Sequence, residues 1–280
     1  MNIPSHVKDF IVSALSEDIG HGDVTTDSII APSAKAGAIV VAKEDAVIAG
    51  LDFFREVFYQ VNTSIKIRSK VRDSEKIKRG GTVCEIAGPA CAILNAERVA
   101  LNILQRLSGI ATFTSLLVES SMGFDVKIAD TRKTTPCMRY MEKYAVRMGG
   151  GYNHRFGLYD GILIKDNHIK AAGGIGKAVD RIRGHHLLLR VEVEVRNLEE
   201  VKEALDSGVD VIMLDNMTAA NMKKAVDLIR KNNRDIIIEA SGNVTAGNIR
   251  DIAATGVDMI SIGALTHSAP AADLSLKLVK

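Results

Sequence analysis

Tryptophan is missing from this chain, aromatic residues make up only 4% of it, and its three cysteines, Cys84, Cys91 and Cys137, are an odd set with no CxxC pair. Such a set excludes a disulfide framework and a recognisable zinc site, and it suits a reducing, cytoplasmic compartment. An excess of one charge is missing too. Lysine and arginine number 36 against 34 aspartate and glutamate, a net charge of +2, so bulk attraction to nucleic acid or to an anionic membrane is not expected. The opening "MNIPSHVKDFIVSALSEDIG" lacks the basic start and continuous apolar core of a signal peptide. No uninterrupted apolar run approaches the length of a membrane span. The chain therefore reads as soluble and cytoplasmic, without nucleic-acid or membrane partners, and any strong positive field must be local.

What is present is an aliphatic core. Of 280 residues, 46% are hydrophobic, enough for one barrel-sized domain or two unequal ones. From about Ala36 to Gly88, segments such as "AGAIVVAKEDAVIAG" and "SIKIRSKVRDSEKIKRGGTVCEIAG" alternate apolar with polar residues and break at Gly50, Gly80, Gly81 and Gly88, the pattern of a small sheet-containing domain. An opening helix over His6 to Glu17 is expected to pack on it. The stretch "CAILNAERVALNILQRLSGIATFTSLLVES" predicts a long helix buried on more than one face.

After Asp125 the rhythm changes. Short β-branched runs, "VKIADT", "GILIKD", "LLLRVEVEV", "DVIMLD", "DIIIEAS" and "MISIGA", alternate with helical segments, and two of those helices stop at Gly208 and Gly256, the usual place for a left-handed residue. Continuous apolar strands separated by helices form a parallel β/α array covered on both faces. About six such units favour an incomplete β/α barrel. A doubly wound sheet is the alternative, weakened because no Gly-rich fingerprint follows the first strand.

In such a barrel the chemistry gathers at the C-terminal strand ends. Here those ends carry Thr131, Arg132 and Lys133; Lys165; Glu194; Asp215; Ser241, Gly242 and Asn243; and Gly263, with His154 and Arg155 in the "RMGGGYNHRFGLYD" connection. Arg132, Lys133, His154, Arg155 and Lys165 would repel one another around a cavity unless an anion filled it, and the arginine fork matches carboxylate or phosphate. Glu194 and Asp215 suit ribose hydroxyls or a magnesium ion, and could stabilise a sugar cation. Alternation in "VEVEV" puts Glu192 on the same side as Glu194. The Gly-containing turns "EASGNV" and "SIGALTHS" suit a phosphate monoester. Thr218 is a better helix cap than Asp215 for the helix beginning "TAANMKKAV". Arg98, inside an apolar helix, needs an anion if it is buried. Together these parts suit transfer of a phosphoribosyl group to a small acidic acceptor. A Schiff-base aldolase using Lys165 and a non-catalytic phosphate-metabolite binder are the rival classes.

The segments "EDIGHGDVTT", "NAERVALNILQRLSGIAT", "DTRKTTP", "EKYAVRMGGGYNHRFGLYDGILIKDNHI", "VEVEV", "IMLDNM" and "EASGNV" resemble, in order and over nearly the whole chain, the nicotinate-nucleotide pyrophosphorylase (quinolinate phosphoribosyltransferase) family. The resemblance implies an N-terminal α/β sandwich over residues 1–110, with residues 268–280 packing back on it, and an open, roughly seven-stranded β/α barrel over 111–267. It implies quinolinate and phosphoribosyl pyrophosphate as substrates, Mg2+ as cofactor, and a homodimer with shared sites. By the same resemblance Arg132, His154, Arg155 and Lys165 form the acceptor pocket, with Arg98 supplied by the second subunit. Thr131 belongs to the substrate-binding set. Lys133, Glu194 and Asp215 are the groups around ribose, pyrophosphate and magnesium, the last two as metal ligands. Ser241, Gly242, Asn243 and Gly263 resemble the 5′-phosphate cradle. A molybdenum-transport-associated homologue with another acceptor is the nearest alternative. Where the family pattern implies a glycine after "DTRKTTP", this chain has Cys137, which bears on the turn behind Arg132.

Overall fold

Alternation in the first third of the chain becomes antiparallel sheet in the computed structural model, which describes residues 3–186 and 188–279. Helices α1 (Ser5–Ile19) and α2 (Val24–Ile29) precede strands β1 (Lys35–Ala42) and β2 (Ala46–Val47). Helix α3 (Leu51–Val61) follows, then β3 (Lys66–Ser69), β4 (Lys76–Ile77), β5 (Thr82–Pro89) and the long helix α4 (Ala90–Ser120). Strand β5 lies between β1 and β3, so Gly88 sits within a strand instead of ending one. The amphipathic α3, which buries Phe53, Phe54, Val57 and Phe58, falls between the two alternating segments of this sheet-containing part. Asp73 carboxylate oxygens accept from Gly50 N and Leu51 N at its start, and Tyr144 Oη donates to Asp73 at 2.6 Å.

Among the described residues α4 is the one helix long and apolar enough to cross a membrane. It contains Glu97, Arg98 and Arg106, and 56% of its most apolar stretch is buried inside the protein. Length and composition do not separate a core helix from a span; burial by protein does.

The second half is the β/α array. Strand β6 (Lys127–Ala129) leads to helix α5 (Arg139–Met148); β7 (Ile162–Ile164) to α6 (Asp166–Ala172) and α7 (Ile175–Arg183); and β8 (Val191–Val195) to α8 (Leu198–Asp206). Then come β9 (Val211–Asp215), α9 (Ala219–Asn232), β10 (Ile237–Ser241), α10 (Ile249–Ala253), β11 (Met259–Ser261) and α11 (Ala264–His267). Each strand falls within its expected segment but is shorter. In "LLLRVEVEV" only Val191–Val195 is strand; Leu188 is almost fully exposed, and Leu187 lies outside the described residues. Thr218 caps α9, accepting from Asn221 N, while Gly208 and Gly256 take φ of +64° and +90° just beyond their helices.

These strands form one parallel sheet in the order β6-β11-β10-β9-β8-β7. The last strand of the array pairs with the first, as in a barrel, and the break falls between β6 and β7. A single bridge from Ala129 to Tyr152 adds one residue of a seventh strand, and among the described residues nothing pairs Tyr152 with β7. The barrel is open.

The final strand, β12 (Leu274–Val279), pairs antiparallel with β1, Gly37 opposite Val279 and Ala42 opposite Leu274. The chain divides into two compact units. One comprises the chain up to Ser115, Thr134–Gly150 and the chain from Leu265; the other comprises Leu116–Lys133 and Gly151–Ala264. In the first unit, fully buried Glu142 of α5 accepts from Arg106 Nε and Nη2 at 3.1 and 2.8 Å and from Thr135 N and Oγ1 at 3.0 and 2.8 Å. Thr135, two residues beyond Lys133, is thereby tethered. Gly149 leaves no room for a Cβ against the Ala111 carbonyl and Thr114 of α4.

Candidate active site

Parallel neighbours in register share a face, so the sheet's inner surface can be read as rows. One row runs Glu194, Met213, Glu239, Met259, Lys127; the next toward the strand ends runs Asp215, Ser241, Ser261, Ala129. Glu192 is one residue pair below Glu194 on the same face. The expected site residues of this unit sort into two levels.

At the strand ends Lys165 Nζ lies 3.8 Å from Glu194 Oε2. Arg196, which the sequence reading did not single out, reaches Asp166 Oδ2 at 3.0 Å, Glu194 Oε1 at 3.6 Å and Asp215 Oδ2 at 3.9 Å. Burial, together with the charge of Asp215, raises the Glu194 pKa above the ordinary carboxylate value, and Lys165 and Arg196 offset part of that. Asp215 is oriented by Asn216, whose Nδ2 donates to Asp215 Oδ2 at 2.9 Å and whose N donates to Ser241 O. Asn243 Nδ2 in turn donates to Asn216 Oδ1. Gly242, Asn243 and Asn216 all have left-handed φ, of 99°, 50° and 53°. A Cβ on Gly242 would run into the Asn216 side chain, so glycine is required there.

Immediately beyond β6, fully buried Asp130 accepts from His154 N at 2.9 Å and Asn153 Nδ2 at 2.6 Å. His154 Nε2 lies 3.2 Å from Glu192 Oε2 and 3.3 Å from Glu239 Oε2, while Nδ1 accepts the Arg155 N–H at 2.9 Å. Burial disfavours charge on His154, but the two carboxylates outweigh it and draw its pKa up to about 10. Burial raises Glu192 as well. The cluster thus retains protons at neutral pH. An imidazolium carries hydrogen on both nitrogens and could not accept the Arg155 N–H, so that contact holds His154 as the Nε2–H tautomer and opposes the upward pull of the carboxylates. Arg155 Nη1 donates to Gly161 O. Burial and the nearby charge of Arg132 lower the Arg155 pKa, against the pull of Glu192. A cavity of about 340 Å³ is lined by His154, Arg155, Glu192 and Arg190 and by Ile162, Val211 and Met259, the first residues of β7, β9 and β11. His154 and Arg155 follow Tyr152, which bridges Ala129 at the end of β6, and both line the cavity with Glu192 and the first residues of β7, β9 and β11.

The remaining residues are placed as follows. Thr131 Oγ1 accepts from Lys133 N at 3.0 Å, forming the turn after β6; Arg132 is half-buried and Lys133 exposed. Cys137, exposed, adopts φ +63°, the conformation for which glycine is suited. Gly263 forms the turn before α11. Arg98 belongs to the other unit and is exposed, so the expected cost of burying it does not arise: its guanidinium is solvated, and burial raises the neighbouring Glu97 against the charge of Arg98. Lys165 is exposed and faces a carboxylate, unlike the desolvated amine a Schiff-base enzyme needs. The sequence reading passed over Glu239, Asn216 and Arg196. For Glu239 a signal existed, since it shares a face with Ser241 by period two.

An open β/α barrel with His154, Arg155 and Arg190 lining its cavity and Glu194 and Asp215 on adjacent strands defines a class: an enzyme for a small anion. The family described as "Quinolinate phosphoribosyl transferase, C-terminal domain" matches residues 110–277, and its N-terminal counterpart matches residues 23–108. The chain belongs to the quinolinate phosphoribosyl transferase family. It is 44% identical to a "Probable nicotinate-nucleotide pyrophosphorylase (carboxylating)" of Bacillus subtilis, over 93% of this chain and 89% of that one. It is 42% identical to the mitochondrial "Quinolinate phosphoribosyltransferase (decarboxylating) 2b" of Nicotiana tabacum, over 98% and 84%. The solved nicotinate-nucleotide pyrophosphorylase of Francisella tularensis superposes with a TM-score of 0.94 at 40% identity, covering 99% and 98%.

Proposed function

We infer that this chain transfers the phosphoribosyl group of phosphoribosyl pyrophosphate to quinolinate with decarboxylation, giving nicotinate mononucleotide, pyrophosphate and carbon dioxide in NAD synthesis. The observation that carries this reading is the match of the chain to both family domains, with Arg155 and His154 lining the barrel cavity. Two guanidinium groups brought together call for two carboxylates, and quinolinate carries two. The molybdenum-transport-associated alternative is not favoured: relatives at 42–44% identity are named for quinolinate or nicotinate-nucleotide chemistry.

Arg132 and Arg155 grip the acceptor, Lys165 adds charge at the strand end, and His154 supports them. Ser241, Gly242, Asn243 and Gly263 hold the 5′-phosphate through turn N–H groups. Thr131 shapes the turn that presents Lys133 to the pyrophosphate. Glu194 and Asp215 face developing positive charge on the ribose as pyrophosphate leaves and the pyridine nitrogen attacks. Once that nitrogen is quaternary, the ring accepts the electron pair left at C2 by departing carbon dioxide, and a proton replaces the carboxylate. No covalent nucleophile is required.

Glu194 and Asp215 also fit a hard divalent cation, since two carboxylates on adjacent strands repel each other and offer only oxygen ligands. They would hold Mg2+, which would offset charge on the pyrophosphate. The enzyme acts as a cytoplasmic homodimer in this reading, with Arg98 reaching a second subunit's site; its three free thiols suit a reducing compartment.

The test is an assay of the purified protein with quinolinate, phosphoribosyl pyrophosphate and Mg2+, following carbon dioxide and nicotinate mononucleotide. Turnover with quinolinate and none with nicotinate, which lacks the second carboxylate, is expected. Equal use of both acids, or no turnover, overturns the reading. Mixing Arg98→Ala with Lys133→Ala protein should restore activity if sites span subunits; verified mixed dimers without recovery remove that role for Arg98.

A further inference from the structure

The reaction as described uses His154 but not Glu192 and Glu239, the two buried carboxylates it touches, and such a pair is a costly thing to keep in a protein interior. Strands β8 and β10 are not neighbours, since β9 lies between them. A single atom, His154 Nε2, within 3.3 Å of carboxylates on both must stand over the concave face of the sheet. The imidazole is thus a strut across the barrel, entering where the sheet is open. Glu239 is fully buried, and among the described residues neither of its oxygens nor Oε1 of Glu192 accepts a hydrogen bond of normal geometry. Apolar side chains of similar size fill such a space without that penalty. A feature that spends stability in the interior of an enzyme points to a task other than holding the fold together.

What the strut touches indicates the task. The nitrogen opposite the carboxylates receives the Arg155 backbone N–H, and the His154 backbone N–H is held by Asp130, one residue from Thr131 and two from Arg132. Glu192 also attracts the Arg155 guanidinium, which Arg132 repels. We propose that Glu192 and Glu239, acting through His154, are positioning residues that fix Arg155 and counterbalance the Arg132–Arg155 pair before the two carboxylates of the acceptor arrive. This rests on the acceptor reading of those arginines given above. An arginine pair held ready binds its dianion without the cost of ordering two long side chains against their own repulsion. The benefit falls on the acceptor and not on the sugar phosphate, because neither carboxylate lies among the groups assigned to ribose or pyrophosphate.

The shape-conserving variants Glu239→Gln and Glu192→Gln, with His154→Gln, test this in the full-length enzyme with Mg2+. Each should raise the KM for quinolinate by about tenfold or more, with kcat and the KM for phosphoribosyl pyrophosphate within about threefold of the parent. His154→Gln combined with Glu239→Gln should cost little more than the worse single change, because the residues act as one unit. A purely structural cluster would instead lower the thermal midpoint and the active fraction with both KM values unmoved, and that result overturns the proposal. So does an equal rise in both KM values. The three ligand atoms lie within 4.8 Å of one another, so metal analysis belongs in the test: one bound metal equivalent lost on Glu239→Gln makes the cluster a metal centre and overturns the proposal. Should Glu239→Gln fail to fold, Glu192→Gln and Glu239→Asp carry the same expectation, read as quinolinate affinity by calorimetry. A parent enzyme inactive on quinolinate defeats the functional reading itself; an active parent with unmoved variants defeats only the positioning role.

Discussion

Glu192 and Glu194 stand on one strand, on one face, two residues apart, and live in different worlds. Glu192 is enclosed with His154 and Glu239; Glu194 sits at the strand end beside Asp215, with Lys165 and Arg196 supplying positive charge from side chains that are about half exposed. Burial raises both carboxyl groups. The partners differ in kind. The deep glutamate is paired with groups that cannot leave, whereas the upper one faces mobile cations that a substrate or metal ion can displace. Depth along a strand, more than residue type, separates a positioning role from a reactive one.

The comparison can be broken most directly by truncating its lower member. Glu192→Ala should destabilise the protein by about 3–5 kcal/mol, because it breaks the buried contact with His154 and empties the space its side chain filled. Urea unfolding measures this, and a cost below about 1 kcal/mol would erase the distinction between the levels. At the upper level Glu194→Ala should leave stability within about 1 kcal/mol and lower kcat by about a hundredfold, roughly 2.7 kcal/mol in the transition state. Steady-state kinetics decide it; an intact kcat removes Glu194 from the chemistry. Between the levels, Arg155→Ala should raise the quinolinate KM by a factor corresponding to about 1.5–3 kcal/mol, with a smaller change in kcat.

Two smaller effects sharpen the contrast between charge and backbone. Cys137→Gly relieves a left-handed residue in the loop after β6 and should stabilise by about 1 kcal/mol without touching either charge cluster. Thermal unfolding with unchanged KM values is the expected pair of readings. The last concerns pH. A carboxyl whose pKa rises on folding costs stability above its folded pKa, and that cost disappears below its unfolded value. Glu194 is such a group, so without divalent cation Glu194→Gln should raise the melting temperature slightly at neutral pH, the gain shrinking as the pH falls toward the ordinary glutamate range. A gain that grows on acidification would contradict the assigned direction.

The strand-end residues were legible because each short β-branched run carries its polar residue at a recognisable exit, as with Asp215 after "VIML" and Ser241 after "IIEA". The parity of "VEVEV" was legible for the same reason. Glu239 was passed over because attention to strand ends ignores the residue one step below on the same face. Arg196 lies beyond its strand, where alternation says nothing about direction. His154 was read in its connection but without its partners, because nothing local indicates which strands its side chain meets. The exposure of Arg98 was not legible because an apolar average over a helix does not say which residue faces water.

Periodicity, capping and glycine stops are short-range, and they alone determined the order of the six strands after Asp125, the Thr218 cap and the shared face of Glu192 and Glu194. Which distant segments meet was decided by the tertiary structure: β12 beside β1, the break between Tyr152 and β7, and an imidazole bridging Glu192 and Glu239. Those contacts join residues far apart in the chain, so they form only when the whole set of apolar faces is buried together.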